Sequence, residues 1–219
     1  MRFDCAVFDM DGTLVDSAAI WIEAKLNILS SRGIPYTAED SANLSNRELE
    51  TSSEYLCEHF PLDITPEQAA QEILAYADHC YAHTVAPIPG AVELLERVHA
   101  MGIPCCLATG TPRERYEPLL RRLGMLHLLD HFVTVYDVPR GKHFPDIYLE
   151  AIRRAGADPA RTVVFEDTGY SIKAAKQAGL YVVTVRQPST NGGPECLALC
   201  DLLVDDLTQL PADFWEEQP

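Results

Sequence analysis

This sequence predicts an α/β fold: a doubly wound (Rossmann-like) parallel sheet interrupted once by an all-helical insert. Three observations point there. Apolar runs of strand length alternate with amphipathic helical stretches through residues 86–219. Several of those runs end in polar or acidic residues: Asp9 after 5–8, Thr109 after 105–108, Glu166 and Asp167 after 162–165. Between residues 16 and 85 strand signals vanish and only helical patterns remain.

Residues 5–8 are an uninterrupted apolar run, as expected of a strand covered on both faces. The run delivers two carboxylates, Asp9 and Asp11, and the turn residues Gly12-Thr13 to a strand carboxyl end. Open α/β sheets bind their ligands there. A helix is expected over 17–31, with Ile20, Trp21, Leu26, Ile28 and Leu29 apolar, Asp16 or Ser17 as its cap and Gly33 closing it. Another is expected over 48–60 on Leu49, Tyr55 and Leu56. Thr65-Pro66-Glu67-Gln68 has the form of a capped helix start. That helix carries Ile73, Leu74, Ala77 and Tyr81 to about residue 84.

Beyond residue 90 the rhythm changes. Helices are expected over 91–100, 111–123, 145–154 and 171–178, stopped by Gly102, Gly124, Gly156 and Gly179. Strands are expected over 105–108, 132–136, 162–165, 181–185 and 202–204. Residues 1–15 and 86–219 then make the sheet domain, and 16–85 the helical insert. The end of the chain, from Phe214-Trp215 to Pro219, either docks by its aromatic pair or frays.

Composition narrows the function. The formal net charge of −16 opposes nucleic acid and anionic lipid as partners. No apolar run has the length of a membrane span and no signal peptide precedes the first strand, so a cytoplasmic protein is expected. If the substrate is an anion, a metal and a few local cations must reverse the field at the site. Seven cysteines show no Cys-x-x-Cys pair. Cys5, Cys105 and Cys106 fall in apolar runs, where thiols are small buried hydrophobes. Cys196 and Cys200, four apart on a short helical stretch, allow a metal or disulfide role, with plain burial favoured in a reducing compartment.

If the strands are parallel neighbours, their carboxyl ends gather Asp9, Asp11, Thr109, Glu166 and Asp167, and Lys142 joins from the loop before the 145–154 helix. Four carboxylates in one crevice repel one another unless a cation sits among them. Carboxylate oxygens suit a hard divalent ion, best Mg²⁺. A lysine and a hydroxyl beside that ion make a pocket for a phosphoryl group. Taken singly, Thr109 is as readily a helix cap, Lys142 a solvated charge and Glu166-Asp167 a turn. The constellation carries the reading.

Four segments in order, Asp9-Met10-Asp11-Gly12-Thr13, Thr109, Gly141-Lys142-His143-Phe144-Pro145-Asp146-Ile147-Tyr148 and Phe165-Glu166-Asp167-Thr168, resemble the motifs of the haloacid dehalogenase-like phosphatases. The insert stands where the β-phosphoglucomutase and phosphoglycolate phosphatase-like subgroup has a helical cap. The resemblance covers nearly the whole chain. It implies that Asp9 is a nucleophile forming an aspartyl phosphate and that Asp11 is the general acid and base. It implies Mg²⁺ held by Asp9, the Asp11 backbone carbonyl and Asp167, with Glu166 just outside, and phosphate held by Thr109 and Lys142. Gly110, where the family often has Asn, and Ser171, where it commonly has Gly, depart from the pattern.

The cap then selects the leaving group, with 15–17 and 85–90 as hinges. Trp21, Arg47 and Arg113 are the substrate contacts considered, against helix packing for Trp21 and plain solvation for the arginines. His79 and His83 are surface residues, two histidines being too few for zinc. The activity implied is Mg²⁺-dependent hydrolysis of a small phosphate ester, such as a sugar or polyol phosphate, by a monomer or weak dimer with no nucleic-acid or membrane partner. A β-phosphoglucomutase-like phosphotransferase is the nearest alternative. Arg47 matches it, but Trp21 stands where mutases carry His and Pro112 where they carry Lys. Haloalkanoate dehalogenases lack the carboxylate present as Asp11. A receiver-type signalling domain shares the acidic cluster with Thr and Lys, but needs half this length and no insert.

Overall fold

β1 (Cys5–Phe8) is buried along its whole length and lies at the centre of a parallel sheet. The computed structural model describes residues 1–45, 47 and 49–217. Among them the sheet has six strands in the order β3-β2-β1-β4-β5-β6. The others are β2 (Cys105–Thr109), β3 (His131–Thr134), β4 (Thr162–Glu166), β5 (Tyr181–Val185) and β6 (Leu202–Val204). Val7 is in register with Cys106 on one side and Val164 on the other. The strand order reverses at β1, so a crevice opens beyond its carboxyl end, next to β4.

The chain divides into two compact units, Met1–Asp16 with Ala86–Pro219, and Ser17–Val85. In the first, α5 (Ala91–Ala100), α6 (Arg113–Arg122), α7 (Asp146–Ala155), α8 (Gly169–Gln177) and the short α9 (Pro194–Leu197) accompany the sheet. One face of the sheet buries Cys5, Val7, Cys106 and Val164 with Ile147, Tyr148 and Ile172 in a single cluster. The chain leaves and re-enters this unit at adjacent points. Val15 pairs antiparallel with Pro87, and Asp16 N–H donates to Ala86 O at 2.9 Å.

Boundaries differ from expectation where side chains reach the backbone. β3 stops at Thr134 instead of continuing to residue 136. The Asp137 carboxylate accepts from both the N–H (2.7 Å) and the hydroxyl (2.9 Å) of Thr134 and turns Val135–Asp137 into a 3₁₀ helix. α6 begins one residue after Pro112, and α8 begins at Gly169, with Ile172 N–H already donating to Thr168 O. All seven cysteines are free. Cys200 falls beyond α9, with its thiol on Leu197 O. The aromatic pair at the end of the chain docks: Phe214 and Trp215 pack against Phe3, with Trp215 buried. Gln218 and Pro219 lie outside the described residues.

The second unit is helical throughout: α1 (Ala18–Ser30), α2 (Ala38–Ser45), α3 (Leu49–His59) and α4 (Pro66–His83). Its core is Ala24, Ile28, Leu29, Leu44, Tyr55, Leu56, Ala69 and Ile73. Glu48, the expected start of α3, is outside the described residues. The Thr65–Gln68 capping box forms with both reciprocal bonds, 2.8 and 3.3 Å. Gly33, at φ +66°, closes α1 by letting Ile34 N–H reach Leu29 O. Ser17 stands at the start of α1 without a side-chain capping bond. Trp21 meets Tyr81 edge to face at 6.2 Å, the helix packing weighed for it above.

α2 is an addition to the expected elements. Its start is made by Thr37 and Asp40, each accepting the other's N–H. Its end rests on a buried cation: Lys25 Nζ on α1 donates to Leu44 O (2.9 Å) and, just beyond the helix, to Arg47 O (2.6 Å), tying the chain down where the helical ladder stops. Burial pushes the Lys25 ammonium down to about 8, from an ordinary 10.5. With the folded pKa the lower, the unfolded chain holds this proton more tightly between those values. Stability therefore rises with pH across that window and is lowest below it. Urea unfolding above the window is expected to show a gain of roughly 3 kcal/mol over that below it. Lys25→Met should flatten the rise.

Candidate active site

The loop after β1 is shaped by its carbonyls and one glycine. Met10 O accepts from Leu14 N–H (2.9 Å) and Val15 N–H (3.0 Å), folding 9–15 into a tight turn. Gly12 sits at φ +83°, and a Cβ there would lie 2.5 Å from Asp167 Oδ2. The turn can approach the end of β4 only because that position has no side chain. Asp9 N–H continues the ladder onto Phe165 O at 3.0 Å, fixing the Asp9 backbone beside β4.

Around that junction lies a buried charge cluster. Lys142 Nζ donates to Asp9 Oδ1 at 2.5 Å and Glu166 Oε1 at 2.6 Å. Tyr148 hydroxyl donates to the same Glu166 oxygen at 2.7 Å, while Glu166 Oε2 accepts the N–H groups of Asp167 and Thr168, both at 3.0 Å. Four donors thus occupy the Glu166 carboxylate, which has room for about four. Asp167 accepts weakly from the Thr13 and Thr168 hydroxyls (3.4 and 3.3 Å) and from the Thr190 hydroxyl. Asn191 bonds the Asp167 carbonyl and Val185 O, tying the end of β5 to the end of β4. Asp11 stands on the other side, its Oδ2 accepting from Thr111 Oγ1 at 2.7 Å. Thr111 N–H in turn donates to Thr109 Oγ1 at 3.0 Å.

The electrostatics follow from three buried carboxylates facing one ammonium. Burial drives the Asp9 carboxyl well above the usual range, against Lys142, and Glu166, Asp167 and Asp11 push the same way. Burial would lower Lys142, but Asp9 and Glu166 hold it well above its ordinary value, so it is a cation. Asp167 is pushed up to about 7 by burial and by Glu166, against Thr190 and Lys142. One oxygen from each of Asp9, Glu166 and Asp167 lies within 4.8 Å of the others. A small, buried, all-oxygen set short of positive charge suits a hard divalent cation.

Of the residues singled out in the sequence, Asp9 and Glu166 both bond Lys142, Asp167 brings a carboxylate oxygen within 4.8 Å of theirs, and Asp11 and Thr109 are linked to each other through Thr111. Arg113 is on the exposed face of α6, paired with Glu117 at 2.7 Å. Trp21 and Arg47 belong to the helical unit, where the Arg47 guanidinium lies 4.7 Å from the Tyr55 ring centre. Thr111, Tyr148, Thr190 and Asn191 were not anticipated. The signal for the last two was present, since the polar run after β5 also lies at the carboxyl end of a parallel strand.

Comparison with known proteins gives the family. The model of the haloacid dehalogenase-like hydrolases matches residues 3–179. The chain belongs to this family. Among its relatives is the validoxylamine A 7'-phosphate phosphatase of Streptomyces hygroscopicus subsp. limoneus, 33% identical over 95% of this chain and 96% of that one. Another is the phosphorylated carbohydrates phosphatase of Thermotoga maritima, 30% identical over 89% of this chain and 90% of the other. The haloacid dehalogenase family hydrolase of Deinococcus radiodurans R1, solved with bound phosphate and sodium, superposes with a TM-score of 0.78. It is 25% identical, covering 98% of this chain and 96% of its own. None of the helices described is long and apolar enough to cross a membrane.

Proposed function

We propose that this haloacid dehalogenase-like hydrolase removes phosphate from a small phosphorylated sugar or polyol through an aspartyl phosphate on Asp9, with Mg²⁺ as cofactor. The observation that carries the reading is the 2.5 Å pairing of Asp9 with Lys142 at the point where the strand order reverses. One relative named above is a phosphorylated carbohydrates phosphatase and another a validoxylamine A 7'-phosphate phosphatase, which supports a small phosphate ester of this class.

In this reading Asp9 Oδ attacks phosphorus as the bond to the leaving oxygen breaks, and Asp11 gives that oxygen its proton. Thr111, donating to Asp11 Oδ2, holds that carboxyl in place for the transfer. Water then attacks the acyl phosphate, Asp11 takes a proton from it, and phosphate departs with the Asp9 carboxylate restored. Lys142 and Thr109 would bind phosphoryl oxygens. Mg²⁺ would be held by Asp9, Asp167 and the Asp11 carbonyl, neutralising the charge of nucleophile and phosphate together. Glu166, with its oxygens already occupied by four donors, serves to orient Lys142 and the 167–168 backbone.

A panel of phosphorylated sugars and polyols, read by phosphate release, tests the function. EDTA is expected to silence turnover and Mg²⁺ to restore it, with Ca²⁺ a poor replacement because its coordination is larger and looser. Normal turnover by metal-free protein would overturn the metal assignment. Isomerisation of glucose 1-phosphate in place of phosphate release would overturn the hydrolase.

A further inference from the structure

We infer that His143 and Tyr170 form a platform on which the leaving group of a cyclic sugar or polyol phosphate rests. The inference builds on the hydrolase reading and adds a choice between esters. His143 directly follows Lys142 in the loop before α7, and Tyr170 is three residues beyond Asp167, in the first turn of α8. Their rings stack at 4.2 Å with an interplanar angle of 19°. The segments that follow Lys142 and Asp167 thus supply one ring each to an aromatic stack, whose inner faces cover each other and whose outer face is left for a ligand.

That surface is open. Tyr170 is 44% exposed, and His143 is exposed as well. Its polar end is less so. Burial pushes the Tyr170 hydroxyl up to about 12, with Lys142, Glu166, Asp9 and Asp167 all near enough to be felt. The hydroxyl thus stays protonated and adds no negative charge beside a bound phosphate. It can donate to an oxygen of the leaving group. An aromatic face next to a donor matches a ring sugar, which offers a C–H face and hydroxyls at its rim. A three-carbon polyol has no such face.

Bracing of the Lys142 loop is the plainer role for the stack, but the loop is already held elsewhere. Arg140 makes two bonds to Asp146 (3.0 and 2.7 Å) and lies over the Phe144 ring at 4.2 Å. A brace would also serve every ester alike.

The test compares glucose 6-phosphate, a cyclic ester, with glycerol 1-phosphate, a linear one. Phosphate release would be measured for wild type, His143→Ala, Tyr170→Ala and Tyr170→Phe, with thermal unfolding to show that each variant is folded. The alanine variants are expected to raise KM for glucose 6-phosphate roughly five- to tenfold, leaving kcat and the glycerol ester little changed. Tyr170→Phe should fall between them and wild type. Equal losses on both esters, or none on either, would overturn the platform while the hydrolase stands. A wild type that hydrolyses neither ester would overturn the hydrolase reading, and the platform with it.

Discussion

Asp9→Asn is expected to lower phosphate release by at least about 10⁴-fold, the scale on which losing a covalent nucleophile is felt. The amide has nearly the same shape but cannot attack phosphorus. The substitution removes one of several crowded carboxylates, so the fold should survive it, with cooperative thermal unfolding as the check. Lys142 keeps Glu166 as a partner at 2.6 Å. Mass spectrometry of acid-quenched wild type should find a phosphoryl group on Asp9, absent from the variant. Turnover retained in Asp9→Asn would refute the nucleophile.

Lys142→Met should damage stability as well as activity. Lys142 is the cation bonded to both Asp9 and Glu166, and all three are buried. Removing it leaves two carboxylates facing each other without their shared partner, a change that costs about 3–5 kcal/mol where one member of a buried ion pair is deleted. Urea unfolding should show that loss. Glu166→Gln is the control, since it removes a negative charge and keeps the shape, and its loss should be smaller. Equal stability of Lys142→Met and wild type would mean that the cluster is not held by this cation.

Much of this arrangement was legible in the sequence because a buried parallel strand is a run that cannot hide and its carboxyl end is a fixed place. Cys5 to Phe8 pointed to Asp9, and 162–165 pointed to Glu166 and Asp167, by that rule alone. Lys142 had no such pointer of its own and depended on the motif around it. The partners of these residues were harder to find. Thr111 and Tyr148 matter through one hydroxyl each, and a hydroxyl in a loop or helix announces nothing until its acceptor is known. α2 was missed because Leu44 is its one apolar anchor, so its helical period is nearly silent. Lys25 reads in sequence as an ordinary exposed helix residue; only the carbonyls of Leu44 and Arg47 reveal why it is buried. β3 reads too long in the sequence for a similar reason, since Asp137 ends it by a bond that hydropathy does not see.

The Val15–Pro87 pairing carries an evolutionary corollary. A chain that departs and returns through neighbouring backbone positions can exchange everything in between as a cassette, because the graft points are already stitched together on the host side. Asp9 and Lys142 would be inherited unaltered while the transplanted helices drift. Diversification of substrates could then proceed without re-founding the chemistry each time.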